Sequence, residues 1–148
     1  MVDDNCLFCR IVSEDLPATI VYEDTHSIAF LDHRPLFPGH TLLVPREHFE
    51  TLGDVSPTLV EPYFKAAQLL SRVVESALEA EGTFVAMNNR VSQSVPHLHV
   101  HIVPRRRKDG LKGFFWPRTK YKGEDEIKEV QSKIRSVLEK MQELKTIL

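Results

Sequence analysis

The chain has 148 residues, 42% of them apolar and 27% charged, with a formal charge of −2 at pH 7. That is enough chain for one domain with a sizeable core, and too little net charge for a general pull toward nucleic acid or acidic membranes. No apolar run approaches membrane-spanning length, and the acidic opening Met1-Val2-Asp3-Asp4 does not read as a signal peptide, so the expected compartment is the cytoplasm. There, the two cysteines read as thiols or metal ligands rather than a disulfide.

In chain order, residues 6–13 suggest a short helix. Residues 19–23 and 27–31 read as two strands with a tight connection around Asp24-Thr25. Residues 32–39 hold two prolines and a glycine and form a loop; residues 40–44 make a third strand, ended by Pro45. Ser56-Pro57 is an N-cap and first-turn pair for a helix reaching about Glu79. Leu59, Val60, Phe64, Ala67, Leu70, Val74 and Leu78 would give that helix one buried face. Residues 83–87 read as a strand, 88–96 as a loop and 97–103 as a last strand. Strands mixed with one long helix predict an α+β domain with a mainly antiparallel sheet over residues 1–120. Residues 121–148 form a helical extension, in which Ile127, Val130, Ile134, Val137, Met141, Leu144 and Leu148 recur at spacings of three and four. This stripe must pack on its own domain or on a partner subunit.

The last strand carries the most chemistry. His97, His99 and His101 alternate with Leu98, Val100 and Ile102. On an extended chain successive side chains face opposite ways, so the apolar set can meet a core while three imidazoles share the other face. Imidazole has the unperturbed pKa nearest neutrality, which suits proton transfer, nucleophilic attack or metal binding. His97 and His101 would stand roughly 13 Å apart on a regular strand, too far to share one ion comfortably. One zinc holding all three is therefore the weaker reading. Asn88, Gln93 and Ser94, just before the strand, offer amides and a hydroxyl for phosphate oxygens; the bland alternative is a polar loop satisfying its own backbone.

His-x-His-x-His followed by two apolar residues resembles the signature of the histidine triad (HIT) family of nucleotide hydrolases and transferases. The resemblance covers about residues 5–120. It includes Asn5-Cys6-Leu7-Phe8-Cys9-Arg10-Ile11, Ala29-Phe30-Leu31-Asp32, Pro38-Gly39-His40-Thr41 through His48, and Gln93-Ser94-Val95-Pro96. It implies a HIT-like fold and covalent catalysis. The middle histidine, His99, attacks the α-phosphorus, a nucleotidyl-histidine forms, and water releases the mononucleotide. The other ring nitrogen of His99 should donate to a backbone carbonyl. His101 would contact the α-phosphate, and Ser94 and His97 would flank the leaving group. Asn88 and Gln93 would position phosphate and leaving group, and Asp32 would bind the ribose hydroxyls. Phe8, Ile11, Phe30 and Leu31 are candidates for the base pocket, with plain core as the alternative for each.

The same resemblance implies a purine nucleotide (adenosine or guanosine) as substrate, a homodimer, and no stable nucleic-acid partner. Catalysis needs no cofactor. Cys6 and Cys9 have the spacing of half a zinc site, which a redox motif or two core thiols would also explain. Carried over from bacterial-type members, the structural zinc ligands would be Cys6, Cys9, His48 and His97.

Three departures stand out. Val91-Ser92 replaces a frequent glycine pair of the nucleotide-binding branch, and Pro104-Arg105-Arg106-Arg107-Lys108 replaces Gly-Gly. Phe114-Phe115-Trp116-Pro117-Arg118 leads into a long extension rather than a short tail. The Pro-Arg is more like the dinucleoside polyphosphate hydrolase branch, and Arg105 would be the residue to receive a second phosphate. The expected activity is hydrolysis of a nucleotide phosphoanhydride or phosphoramidate. The rivals are a zinc-stabilised nucleotide-binding or structural module without catalysis and a nucleic-acid end-processing enzyme.

Overall fold

The computed structural model describes residues 5–111 and 119–147. The opening Met1–Asp4 and the aromatic stretch 114–118 lie outside them. The chain divides after Asp109 into two compact units, earlier than the break after residue 120 read from the sequence.

The first unit is α+β. Helix α1 (Leu7–Val12) precedes strands β1 (Ile20–Glu23), β2 (Ser27–Leu31) and β3 (Thr41–Pro45). A short 3₁₀ turn (Leu52–Asp54) leads into α2 (Pro57–Ala77), then β4 (Gly82–Ala86) and β5 (Val100–Arg105). The five strands are antiparallel throughout, in the order β1-β2-β3-β5-β4. The β1–β2 turn is built on Asp24, whose carboxylate accepts the amides of His26 at 2.7 Å and Ser27 at 2.6 Å.

The pleat sorts side chains into two cores. Ala29, Leu43, Leu98, Val100 and Ile102 meet α2 on one face of the sheet. Ile28, Phe30, Leu42 and Val44 meet Phe8 and Ile11 of α1 in the other cluster. Leu98, Val100 and Ile102 thus fall on the side opposite the histidines, as their alternation requires.

Three expectations are corrected. The triad strand begins at Val100, not His97. β5 pairs with β3 through Val100–Leu43, and continuing that register would bring Leu98 to Pro45, which has no amide hydrogen. The Leu98 amide instead donates to the Phe49 carbonyl at 2.6 Å, and His97 donates its backbone amide to Val95 at 2.8 Å. The buried face of α2 is Tyr63, Ala66, Ala67, Leu70 and Val74, while Val60 and Phe64 are exposed. Tyr63 wins the inward position because its hydroxyl donates to the Leu43 carbonyl at 2.8 Å, satisfying both groups inside the core. Ser56 precedes Pro57 as expected, but its side chain makes no capping bond to the helix backbone.

The second unit holds α3 (Glu124–Ile147). Glu124, Asp125 and Glu126 occupy its first turn, favourable at the positive end of the helix dipole. Ile127, Ile134, Val137 and Met141 of the apolar stripe are exposed. The side chains of Leu144 and Leu148 lie outside the described residues. No described helix is long and apolar enough to cross a membrane.

Candidate active site and metal centre

A cavity of about 720 Å³ opens on the α1 side of the sheet. Its apolar lining includes Phe8, Ile11, Phe30 and Leu31, all four base-pocket candidates. Its polar lining includes Asp32, Arg34, Ser94, His99 and His101. Phe8 also sets its ring edge-on to His99, with centroids 5.2 Å apart.

Hydrogen bonds fix which nitrogen of each imidazole carries the proton. His99 Nδ1 lies 2.7 Å from the His97 carbonyl. A carbonyl only accepts, so Nδ1 is the protonated nitrogen and Nε2 keeps its lone pair. The Leu36 amide donates to His40 Nδ1 at 3.1 Å. His40 therefore carries its proton on Nε2, which donates to His101 Nδ1 at 2.9 Å. His101 in turn keeps its proton on Nε2, as a donor for a ligand oxygen. Burial pushes the His40 pKa down, and burial followed by the neighbouring imidazoles pushes that of His101 down to about 4. The chain of two is thus neutral and proton-ordered at neutral pH.

Asp32, His40 and His101 also bring ligand atoms within 4.8 Å of one another. The proton order argues against a cation there, because His40 has one nitrogen filled by an amide and the other by its own proton. Asp32 receives the Arg34 amide at 2.9 Å, which turns its carboxylate at the cavity wall.

Asn88 and Gln93 do not line the cavity as Ser94 does. Gln93 accepts the Arg90 amide at 2.7 Å and donates to the Glu50 carbonyl at 2.7 Å. Asn88 donates to the Ser92 carbonyl at 3.2 Å. These amides hold the loop that carries Ser94, and Asn89 pins it further by accepting the Leu52 amide at 2.8 Å. Arg90 and Ser92 have φ of 68° and 60°, left-handed conformations that glycine adopts more freely. Val91-Ser92 therefore keeps part of a glycine-type turn without the glycines. Arg105 is engaged elsewhere: Nε and Nη2 both reach the Asp109 carboxylate, Nη2 at 2.9 Å.

His97 is buried and belongs to a second cluster. Cys6 Sγ and Cys9 Sγ each lie 3.5 Å from His97 Nδ1, and Cys9 Sγ lies 3.2 Å from His48 Nδ1. Zinc bonds of about 2.3 Å to sulfur and about 2.0–2.1 Å to nitrogen give a tetrahedral edge of about 3.6 Å. The three sulfur–nitrogen separations are near such an edge, and all four ligand atoms lie within 4.8 Å of one another. His97 Nε2 lies 2.9 Å from the Pro45 carbonyl, so it carries the proton and leaves Nδ1 free to ligate. Burial pushes the His97 pKa down to about 4, keeping that lone pair available.

His40 falls within the motif Pro38-Gly39-His40-Thr41, where the sequence alone assigns it no role. The link lies in the strand pairing rather than in the local sequence: His40 lies two residues before Leu42, the partner of His101 in the β3–β5 register, and so on the same face.

Residues 13–108 match the family model of the HIT domain. Protein hit of Bacillus subtilis is 38% identical over 115 residues, covering 76% of this chain and 79% of that protein. The crystal structure of a histidine triad nucleotide-binding protein from Candida albicans superposes with a TM-score of 0.80 at 26% identity, covering 93% of this chain and 99% of that one. The crystal structure of a Zn-bound histidine triad family protein from Mycobacterium smegmatis does so with a TM-score of 0.68 at 34% identity, covering 90% and 97%. Fold and residues together define an α+β domain with a histidine-lined cavity beside a Cys2His2 cluster. The chain belongs to the HIT family.

Proposed function

We propose that the protein is a nucleotide hydrolase or transferase that works through a nucleotidyl-His99 intermediate. The substrate is a purine nucleoside phosphoramidate or a dinucleoside polyphosphate. The observation that carries this reading is the His99 Nδ1–His97 carbonyl bond, which reserves Nε2 as a lone pair on a cavity-lining residue.

Phe8, Ile11, Phe30 and Leu31 stack and enclose the base, and Asp32 accepts from the ribose hydroxyls. His101 Nε2–H donates to an α-phosphoryl oxygen, and the Ser94 hydroxyl contacts the phosphate on the leaving-group side. Asn88 and Gln93 serve phosphate binding by shaping the loop beneath Ser94. His99 Nε2 gives its electron pair to phosphorus as the bond to the leaving group breaks, and the leaving group departs with that bonding pair. A polyphosphate leaves as an anion; an amine also takes up a proton from solvent, matched by the proton that the attacking water later releases. Water then attacks phosphorus and loses a proton, and the P–N bond electrons return to Nε2. Splitting one displacement into two is the gain.

Cys6, Cys9, His48 and His97 would hold a structural zinc, which supplies folding energy rather than a chemical step. We read the protein as cytoplasmic, consistent with two unbridged thiols. We also read it as a homodimer. Edge strand β4 exposes Val85 and α2 exposes Val60 and Phe64, apolar surface that a second copy would cover. Sedimentation at micromolar concentration checks this, with twice the 17.0 kDa chain mass expected.

The functional test offers adenosine phosphoramidate and diadenosine polyphosphate separately to the parent protein and His99→Gly. Turnover by the parent alone supports the hydrolase, and the faster substrate names the leaving group. Binding of adenosine monophosphate without turnover of either compound would favour the non-catalytic nucleotide-binding module.

A further inference from the structure

We infer that the Cys6–Cys9–His48–His97 centre positions the proposed nucleophile, through His97, and is not only a staple for the N-terminus. The inference rests on the assignment of His99 above and adds the source of its orientation. His97 is shared between the two sites. Its Nδ1 lies 3.5 Å from each cysteine sulfur, its Nε2–H donates to the Pro45 carbonyl at 2.9 Å, and its own carbonyl accepts the His99 Nδ1–H at 2.7 Å. The residue is held on both ring nitrogens, and what it holds is the tautomer of His99.

The backbone here is fixed by single turn and loop bonds, such as that of the His97 amide to the Val95 carbonyl at 2.8 Å. His97 and His99 precede β5, so neither is locked by a strand ladder. The Leu98 amide reaches Phe49, one residue from the ligand His48. A change at the centre thus moves the His97 carbonyl from two directions, through the ring and through the 48–49 segment. A third link is Phe8, which sits between Cys6 and Cys9 on α1 and places its ring against both His97 and His99. Binding the ion therefore sets the aim of Nε2 and one wall of the cavity together. His97 is 0% exposed and does not line that cavity, which makes it a positioning residue rather than a catalytic one.

The test is nitrogen-15 NMR of the histidine rings in the zinc-loaded and chelator-treated full chain. Loaded protein should show His99 as a single Nδ1–H tautomer. Removing zinc should give mixed tautomer signals, together with a fall of at least tenfold in kcat. A His99 ring that keeps one tautomer after zinc removal, in a chain that has merely lost thermal stability, would overturn the inference. If the metal-free chain unfolds, cadmium replaces zinc in the folded protein: the larger ion must shift the His99 Nδ1–H resonance, and an unmoved resonance overturns the inference equally. The ring signals need no substrate, so a chain whose His99 tautomer follows the metal but which forms no nucleotide adduct would sink the hydrolase reading and leave the coupling standing.

Discussion

His40 Nε2 lies 2.9 Å from His101 Nδ1, and the Leu36 amide on the far side of the His40 ring fixes the direction of that bond. The pair faces the cavity with one Nε2–H, oriented by a buried partner before any ligand arrives. Preorganised donors of this kind cost no reorganisation when charge develops on a phosphoryl oxygen.

Replacing His40 with Ala should therefore lower turnover by about 10–100-fold while leaving the KM for the nucleotide nearly unchanged. The freed Leu36 amide and the small void should also cost about 1–3 kcal/mol of stability. Steady-state kinetics with a urea unfolding series separates the two effects. A pure stability loss with normal kcat would remove His40 from the mechanism.

The low pKa of His101 has a signed consequence. Folded, it titrates near 4; its ordinary value is 6.5. Between those values the unfolded chain binds the extra proton, so stability must rise with pH from about 4 to 6.5 and level off above. After allowance for partial solvent screening the His101 share is about 2 kcal/mol or less. The urea midpoint measured from pH 4 to 8 in the metal-loaded protein checks the direction; a midpoint falling across pH 4 to 6.5 contradicts it.

Ser94 and Arg105 separate two accounts of the substrate. Ser94 lines the cavity, whereas Arg105 is paired with Asp109. Ser94→Ala should reduce kcat/KM about tenfold, equivalent to ~1.4 kcal/mol. Arg105→Ala should change it less than threefold, even with a dinucleoside polyphosphate. A larger loss with Arg105→Ala on that substrate alone would restore a second phosphate site at the end of β5.

Gly39 turns the chain into β3 with φ of 96°, and a Cβ there would come within 2.8 Å of the Leu78 side chain. Gly39→Ala should cost ~2 kcal/mol from backbone strain and displaced packing. Because His40 is the next residue, turnover should fall as well, which a thermal melt and a rate assay read together.

Much of this was legible in the chain. The period-two alternation of His97–Ile102 separated imidazoles from core correctly even though the first three of those residues are not in a strand. Cys6 and Cys9 gave half of the candidate metal cluster by spacing. What local pattern left out depends on tertiary register. Whether Tyr63 or Phe64 turns inward is decided by a carbonyl on β3, and whether Arg105 meets a ligand is decided by Asp109 in the following turn. The role of His40 appears only when β3 is paired with β5, since nothing within its own segment distinguishes it from any polar residue at the start of a strand.

The central claim is that His99 Nε2 becomes covalently nucleotidylated. The most direct measurement is the intact mass of the parent protein and of His99→Gly after brief exposure to adenosine phosphoramidate and quenching without acid. The parent should carry an adduct of one adenosine monophosphate unit, localised to His99 and absent from the variant. Turnover by the parent with no such adduct at any quench time, or an equal adduct on His99→Gly, would contradict it.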